Sequence, residues 1–209
     1  MASGGVESAA LLAQALRRYP WVYPLYVRKG FVWEGAELVH LRRLVRSFGE
    51  KRLAALTVLE ALAGPVYGRH WSLGKRPAPG FKAPDSAVYL PGRNLLLLSL
   101  GGLFCGMRKI PALWIGILRG NPFSDATPRF LRRMESALGE ALSVPVKVAA
   151  PLAGFTKPQV IRRWPEVPWR HTFSCLSPVK QRHCGRCQKC AERKRGFRLA
   201  GIADPTPYA

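Results

Sequence analysis

Two groups of residues in this chain have the types and spacing that chemistry needs. The first is Ser-Gly-Gly-Val-Glu-Ser at positions 3–8, directly ahead of the apolar run Ala9, Ala10, Leu11 and Leu12. A turn without side chains lets backbone N–H groups converge on an anion, and the N-terminus of a following helix adds partial positive charge. Ser3 and Ser8 add hydroxyl donors, so the pattern predicts a phosphate-holding turn, with a plain helix cap as the alternative. The second group is Cys175, Cys184, Cys187 and Cys190, four of the five cysteines in the chain. Two Cys-x-x-Cys spacings share Cys187, and the upstream thiol completes a set able to close a tetrahedral site within one short segment. Zn²⁺ prefers thiolate sulfur, and four such ligands leave no open position for a catalytic water. The expected role is therefore structural zinc; a redox pair and an iron–sulfur cluster are the alternatives. His183 adjoins a ligand and is a spare donor, while Cys105, alone in an apolar stretch, reads as a small core residue.

Bulk properties limit what these groups serve. A chain of 209 residues suits one substantial core with a small appended module. The apolar share of 48% and charged share of 22% exclude neither folding nor solubility and point away from disorder. The formal charge of +21, from 33 Lys and Arg against 12 Asp and Glu, creates a field that attracts phosphate-rich partners. Nucleic acid is a candidate partner on that ground; wide substitution of arginine across a proteome is the competing explanation, and an ATP-binding enzyme gains from the same field. The longest apolar stretch, 95–107, is too short to span a bilayer and no signal peptide is evident, so the expectation is a cytoplasmic protein with no membrane partner. Thiols stay reduced there. Lys180, Arg182, Arg186, Lys189, Arg193, Lys194, Arg195 and Arg198 surround the cysteines, offsetting tetrathiolate charge with a surplus left facing outward.

The elements that position these groups follow from periodicity. A helix is expected over 7–18, a strand in Trp21–Val27, a helix from Glu34 to Gly49, and a strand at Leu56–Leu59. Residues 64–91 carry many prolines and glycines with no period, and His70, Trp71, Arg69 and Lys75 favour a functional lid there. A buried helix over 95–107, with Asn94 as N-cap, precedes an apolar strand in 111–118. Thr127 and Pro128 open a helix carrying Leu131, Met134, Leu138 and Leu142; a strand follows in Val144–Pro151, then a short helix near Thr156. Strands alternating with helices predict an α/β fold with a parallel sheet, which binds ligands at the C-terminal ends of its strands. The division expected is a main α/β domain over 1–165 and a zinc-binding segment over 166–209.

Three stretches together resemble the 7-cyano-7-deazaguanine synthases of the ATP-pyrophosphatase (PP-loop) superfamily. They are Ser3–Ser8 against the superfamily's SGGxDS, LPGRNLLLLSL at 90–100, and TFSCLSPVKQRHCGRCQKCAERKRGFRLAGIADPTPY at 172–208. The last is the most specific, matching Gly185, Arg193, Phe197, Gly201 and Asp204-Pro205-Thr206 besides the cysteines. The resemblance implies a Rossmann-like, adenine-nucleotide hydrolase-like domain and conversion of 7-carboxy-7-deazaguanine and ammonia to a nitrile, with ATP activating first the carboxylate and then the amide. It further implies that Ser3, Gly4, Gly5 and Ser8 cradle pyrophosphate, that Glu7 helps hold Mg²⁺, and that Arg93 and Asn94 contact phosphate or the deazaguanine. Asp125 falls in a segment near the substrate; Arg69 and His70 are weaker candidates; a homodimer is the expected assembly.

Two departures stand out. Glu7 replaces the usual Asp and is one methylene longer, which points to a divergent branch whose substrate differs. The superfamily runs a strand of roughly five residues into the glycine turn; this sequence has no room for one, so the natural start is expected upstream of Met1, or the chain is trimmed, and the turn is expected to be less firmly held. Two other readings remain open: a PP-loop paralogue modifying a nucleic acid or protein, and a zinc-stapled RNA-binding protein without ATP chemistry. The former loses its thiolation version because only Cys105 lies outside the cysteine cluster. The latter lacks any recognisable RNA-binding module.

Overall fold

The computed structural model describes all 209 residues. Helix α1 (Val6–Arg18) leaves the glycine turn and buries Val6, Ala9, Ala10, Leu12, Ala13 and Leu16. Strand β1 (Leu25–Arg28), helix α2 (Glu34–Phe48) and strand β2 (Thr57–Glu60) form one βαβ unit, its strands parallel with Leu25 opposite Thr57. After a one-turn helix α3 (Gly64–Tyr67) and a long connection comes helix α4 (Arg93–Met107). Strand β3 (Ala112–Trp114), helix α5 (Pro128–Leu142) and strand β4 (Lys147–Ala149) form a second parallel unit, with Ala112 opposite Lys147. Helices α6 (Lys157–Arg163) and α7 (Gln188–Ala200) close the chain. The α/β class and its parallel strands agree with the alternation in the sequence.

The two strand pairs do not share a ladder. Between their inner edges lie Met1 and Ala2: the Ala2 amide donates to Leu25 O at 2.8 Å, and the Met1 ammonium to Trp114 O at 2.6 Å. Two residues thus stand where a strand entering the turn would run, and they tie β1 to β3. Alongside them an apolar slot of about 320 Å³ is walled by Tyr23, Leu25, Pro111 and Leu113.

Local chemistry accounts for the helix starts. Thr127 Oγ1 accepts from the Phe130 amide at 3.2 Å, and Thr156 with Gln159 forms a reciprocal capping box. At α4 the expected cap is corrected. Gly92, at φ 69°, takes the cap position, and Asn94 sits within the first turn because its side chain is drawn to Asp125. Gly102 of α4 lets α5 approach: a Cβ there would fall 2.4 Å from the Leu138 side chain.

The 64–91 segment, expected as a functional lid, lines the main cleft with Trp71, Asp85, Val88, Tyr89 and Leu90 and is fastened at its far side. This segment is strapped onto the cysteine module by the Gln188 amide on Pro79 O at 2.9 Å, by Gln188 Nε2 on Asp85 Oδ1 at 2.6 Å, and by a bridge between Gly80 and Cys187. Unpaired backbone groups in a proline-rich loop find donors on the start of α7, and so the loop is held. His70 spends its ring nitrogen on Ser72, and neither it nor Arg69 borders the main cleft.

Packing crosses residue 165 in both directions. Val167, Trp169 and Phe197 join α1 in the main core, whereas Phe31, Trp33, Val88 and Leu90 pack with the cysteines. Arg193 of α7 locks the end of the chain. Fully buried, it donates to Asp204 Oδ1 at 3.2 Å, Thr206 Oγ1 at 2.6 Å, Thr172 Oγ1 at 2.8 Å and Trp169 O at 3.1 Å. Arg193→Met leaves Asp204 without its cation and these acceptors unpaired, and should lower stability by about 3–5 kcal/mol. Urea unfolding midpoints measure this; a loss below about 1 kcal/mol would contradict it.

Candidate functional site

The glycine turn is tight because of what packs against it. Gly4 adopts φ 79°, and a Cβ added there would meet Leu41 Cβ at 3.3 Å. Its carbonyl accepts from the Phe173 amide at 2.8 Å, which ties the turn to the segment entering the cysteine module. The Gly5 amide donates to Ser3 Oγ at 3.4 Å, and Ser8 Oγ donates to Gly5 O at 3.1 Å. Gly5 is the N-cap of α1 and contributes no side-chain acceptor, so the first-turn N–H groups remain available for an anion. Gly4→Ala forces an L-residue into left-handed backbone against α2. The expected cost is about 1–2 kcal/mol, read from urea unfolding midpoints.

Glu7 and Ser8 project from that first turn into a cleft of about 410 Å³ at the C-terminal side of β1 and β3. Glu7 does not stand alone there. Its Oε1 lies 2.8 Å from Lys157 Nζ, which lies 2.6 Å from Glu192, itself 2.6 Å from Lys189. Helices α1, α6 and α7 therefore meet through alternating charges. Burial alone would raise Glu192, but Lys157 and Lys189 outweigh it and hold the carboxyl far below its ordinary range. Lys157 is held above the usual lysine range because Glu192 and Glu7 outweigh its own desolvation.

Arg93, Asn94 and Asp125 line the same cleft. Asp125, buried, accepts the Asn94 amide on Oδ2 at 2.9 Å, and Asn94 Nδ2 donates to Asp125 O at 3.1 Å. A carboxylate at this helix start is favoured by the helix dipole, so the Asp125 carboxylate is occupied with fixing α4, and Arg93 is left facing the cleft. Stacked aromatic pairs border the same space: Trp33 with Trp71 at 5.5 Å and Tyr89 with Phe123 at 4.9 Å. They suit a planar heterocycle.

Several cleft residues carry no motif of their own. Lys157, Glu192 and Lys189 are far from the turn in sequence, and no local signal connects them. Of the two acidic residues in the first turn of α2, Glu37 lines the cleft and Glu34 does not. Glu34 accepts the amides of Lys29 and Gly30 at 2.8 and 2.9 Å and pairs with Lys29 Nζ at 3.2 Å, bracing the turn after β1.

The four cysteines are brought together. All four are buried, and their sulfurs lie within 4.8 Å of one another. Separations of 3.9 Å for Cys175–Cys187, 4.0 Å for Cys184–Cys190 and 3.5 Å for Cys187–Cys190 suit a tetrahedron with Zn–S bonds of about 2.3 Å. The Leu176 amide points at Cys187 Sγ at 3.4 Å and the Cys184 amide at Cys175 Sγ at 3.3 Å, the donor pattern that supports thiolates. His183 is not among the ligands: its Nε2 accepts from the Ser174 amide at 3.1 Å, between Phe173 and Tyr208. Cys105 is buried beside α5, apart from the cluster.

With this geometry in view, the chain can be set beside known proteins. It is 31% identical to the 7-cyano-7-deazaguanine synthase of Anaeromyxobacter dehalogenans, over 99% of this chain and 93% of that protein. Identity is 33% to the synthase of Anaeromyxobacter sp. (strain Fw109-5), over 99% and 93%, and 32% to that of Methanothermobacter thermautotrophicus, over 99% and 96%. A family model described as queuosine biosynthesis protein QueC matches residues 1–201, a span that includes the glycine turn, the cleft and all four cysteines. The chain belongs to the QueC family of queuosine biosynthesis proteins.

Proposed function

We propose that this protein is an ATP-dependent C–N ligase that converts 7-carboxy-7-deazaguanine and ammonia into 7-cyano-7-deazaguanine. The observation that carries this reading is the family match along nearly the whole chain, together with one cleft that joins the glycine turn to a charged and aromatic wall. A carboxylate is a poor electrophile; transfer of AMP to its oxygen supplies a leaving group, and activation of the resulting amide permits loss of its oxygen as the nitrile forms.

The side chains divide this work between them. Ser3, Gly4, Gly5, Ser8 and the first-turn amides of α1 hold the departing pyrophosphate, whose charge they stabilise from fixed positions. Lys157 adds a cation beside them. Glu7 Oε1 is engaged by Lys157, which leaves its second oxygen toward Mg²⁺, an ion that takes one or two carboxylates along with phosphate oxygens. When bound there, Mg²⁺ supplies charge neutralisation for the phosphates. Arg93 binds phosphate or the deazaguanine carboxyl, Asn94 and Asp125 hold Arg93 in place, and the aromatic pairs receive the planar ring. Zinc on the four cysteines holds the C-terminal module and performs no chemistry. The working compartment is the cytoplasm, where these thiols stay reduced; no helix of the chain is long and apolar enough to cross a membrane.

The decisive experiment incubates zinc-loaded protein with ATP, Mg²⁺, ammonium and 7-carboxy-7-deazaguanine, following AMP by chromatography and product by mass. AMP formation that depends on the acid, with nitrile as product, is the expected result. Absence of AMP from folded, zinc-loaded protein overturns the reading.

A further inference from the structure

We propose that Glu37 is the proton acceptor that converts bound ammonium into the neutral nitrogen nucleophile; this rests on the function set out above. The argument begins with the carboxylates bordering the cleft: Glu7, Glu37, Asp85, Asp125 and Glu192. Four are committed elsewhere. Glu7 and Glu192 are paired with lysines at 2.8 Å or less. Asp85 is held by Gln188 at 2.6 Å and Arg195 at 3.4 Å, and Asp125 by the Asn94 amide at 2.9 Å. Glu37 has no such cation or amide; its Oε2 accepts only the Tyr26 hydroxyl, at 2.6 Å.

Its position suits the task. Glu37 lies on the first turn of α2, and its carbonyl oxygen is 3.7 Å from where a Cβ of Gly4 would sit, directly beside the phosphate-holding turn. The groups facing it are Tyr26 from β1, Lys29 from the turn after β1, Arg93 from α4 and Glu34 on its own helix. Burial pushes the Glu37 carboxyl up to about 7, against the opposing pull of Lys29, the Tyr26 hydrogen bond and Arg93. Lys29 cannot do this work: its ammonium is bound to Val27 O and Glu34. A base titrating near the working pH combines availability with driving force.

The step balances. Ammonium gives one proton to the Glu37 carboxylate, the freed nitrogen lone pair forms the C–N bond, and the carbon–oxygen bond to AMP breaks with its electron pair leaving on the AMP oxygen. A second proton leaves nitrogen for solvent, the product is the amide, and Glu37 returns its proton to solvent. The amide must lose both remaining N–H protons to become a nitrile, so the same base serves again.

Hydroxylamine tests this, since its nitrogen is unprotonated at neutral pH and needs no base before it attacks. Glu37→Gln keeps an acceptor for Tyr26 and is expected to lower kcat with ammonium about 100-fold more than kcat with hydroxylamine. In the wild-type enzyme, kcat at saturating ammonium should rise with pH through about 7, and the hydroxylamine reaction should lack that limb; this comparison needs no variant. Equal losses with both nucleophiles, or matching pH profiles, overturn the proposal. Pyrophosphate release that depends on the acid, measured without ammonia, separates the cases. If wild type shows it, such a failure counts against Glu37 alone; if wild type lacks it, the assigned function falls and the proposal with it.

Discussion

Cys190→Ser is expected to abolish metal retention and to leave most of the protein insoluble or unfolded. Cys190 has no exposed surface, and its sulfur sits 3.5 Å from Cys187 and 4.0 Å from Cys184. Structural zinc contributes about 10–16 kcal/mol in small zinc peptides at pH 7, comparable with the about 5–15 kcal/mol net stability of a whole domain. The segment from 174 to 190 has few apolar residues with which to compensate. The damage also spreads by definite contacts: Gln188 secures the 64–91 strap, Glu192 secures Lys157, and the Phe173 amide holds Gly4 O. Losing the metal should therefore disturb the glycine turn as well as the module. Elemental analysis should find about one zinc per chain in the wild type and a small fraction of that in the variant, with thermal unfolding by circular dichroism reporting the loss. A soluble Cys190→Ser protein that keeps its zinc and its melting temperature would show that the four sulfurs are not a metal site.

Lys157→Met carries the second large effect. Lys157 is only 10% exposed and stands between Glu7 and Glu192 at 2.8 and 2.6 Å. Removing Lys157 leaves Glu7 charged and unpaired and Glu192 with Lys189 alone, at a cost of about 3–5 kcal/mol. The cleft also loses the cation that, on the proposed function, stands beside the departing pyrophosphate, so nucleotide affinity should fall along with stability. The pH dependence follows from the same geometry. Although burial alone would raise Glu7 and Glu192, Lys157 holds both below their unfolded values. Groups depressed on folding contribute stability that is present in full above the unfolded carboxylate range, about 4.3, and is lost as pH falls through the folded values. Wild-type urea midpoints should accordingly drop on acidification below about pH 4, and Lys157→Met should show a shallower drop. Identical acid profiles for the two proteins would mean that the triad adds nothing to stability.

The legible parts of this protein share one property: their signals are local. Thr127-Pro128 starts α5 because a hydroxyl cap and a residue lacking an N–H suit adjacent positions whatever surrounds them. The cysteines could be read because their spacing reports a coordination number. One error and one incomplete reading came from the same source. Asn94 has good capping chemistry, yet Gly92 takes that position because Asp125, 31 residues further on, recruits the asparagine. The 64–91 segment has the composition of a lid, yet the start of α7 offers partners to its backbone and fastens it.

By itself, the sequence determined that a glycine turn would open α1, that strands would alternate with helices into parallel pairs, and that four thiols would gather. Each depends on residue type at short spacing, where backbone geometry leaves few alternatives. Only the tertiary structure decided which charges meet: Glu7 with Lys157 and Glu192, Asp125 with Asn94, and Glu37 with a tyrosine and no cation at ion-pair distance. It also decided that Met1 and Ala2 would bridge two strand pairs. The reason is physical: charge pairing and desolvation act over a few ångströms in space, between residues that chain topology brings together, and no local pattern records that neighbourhood.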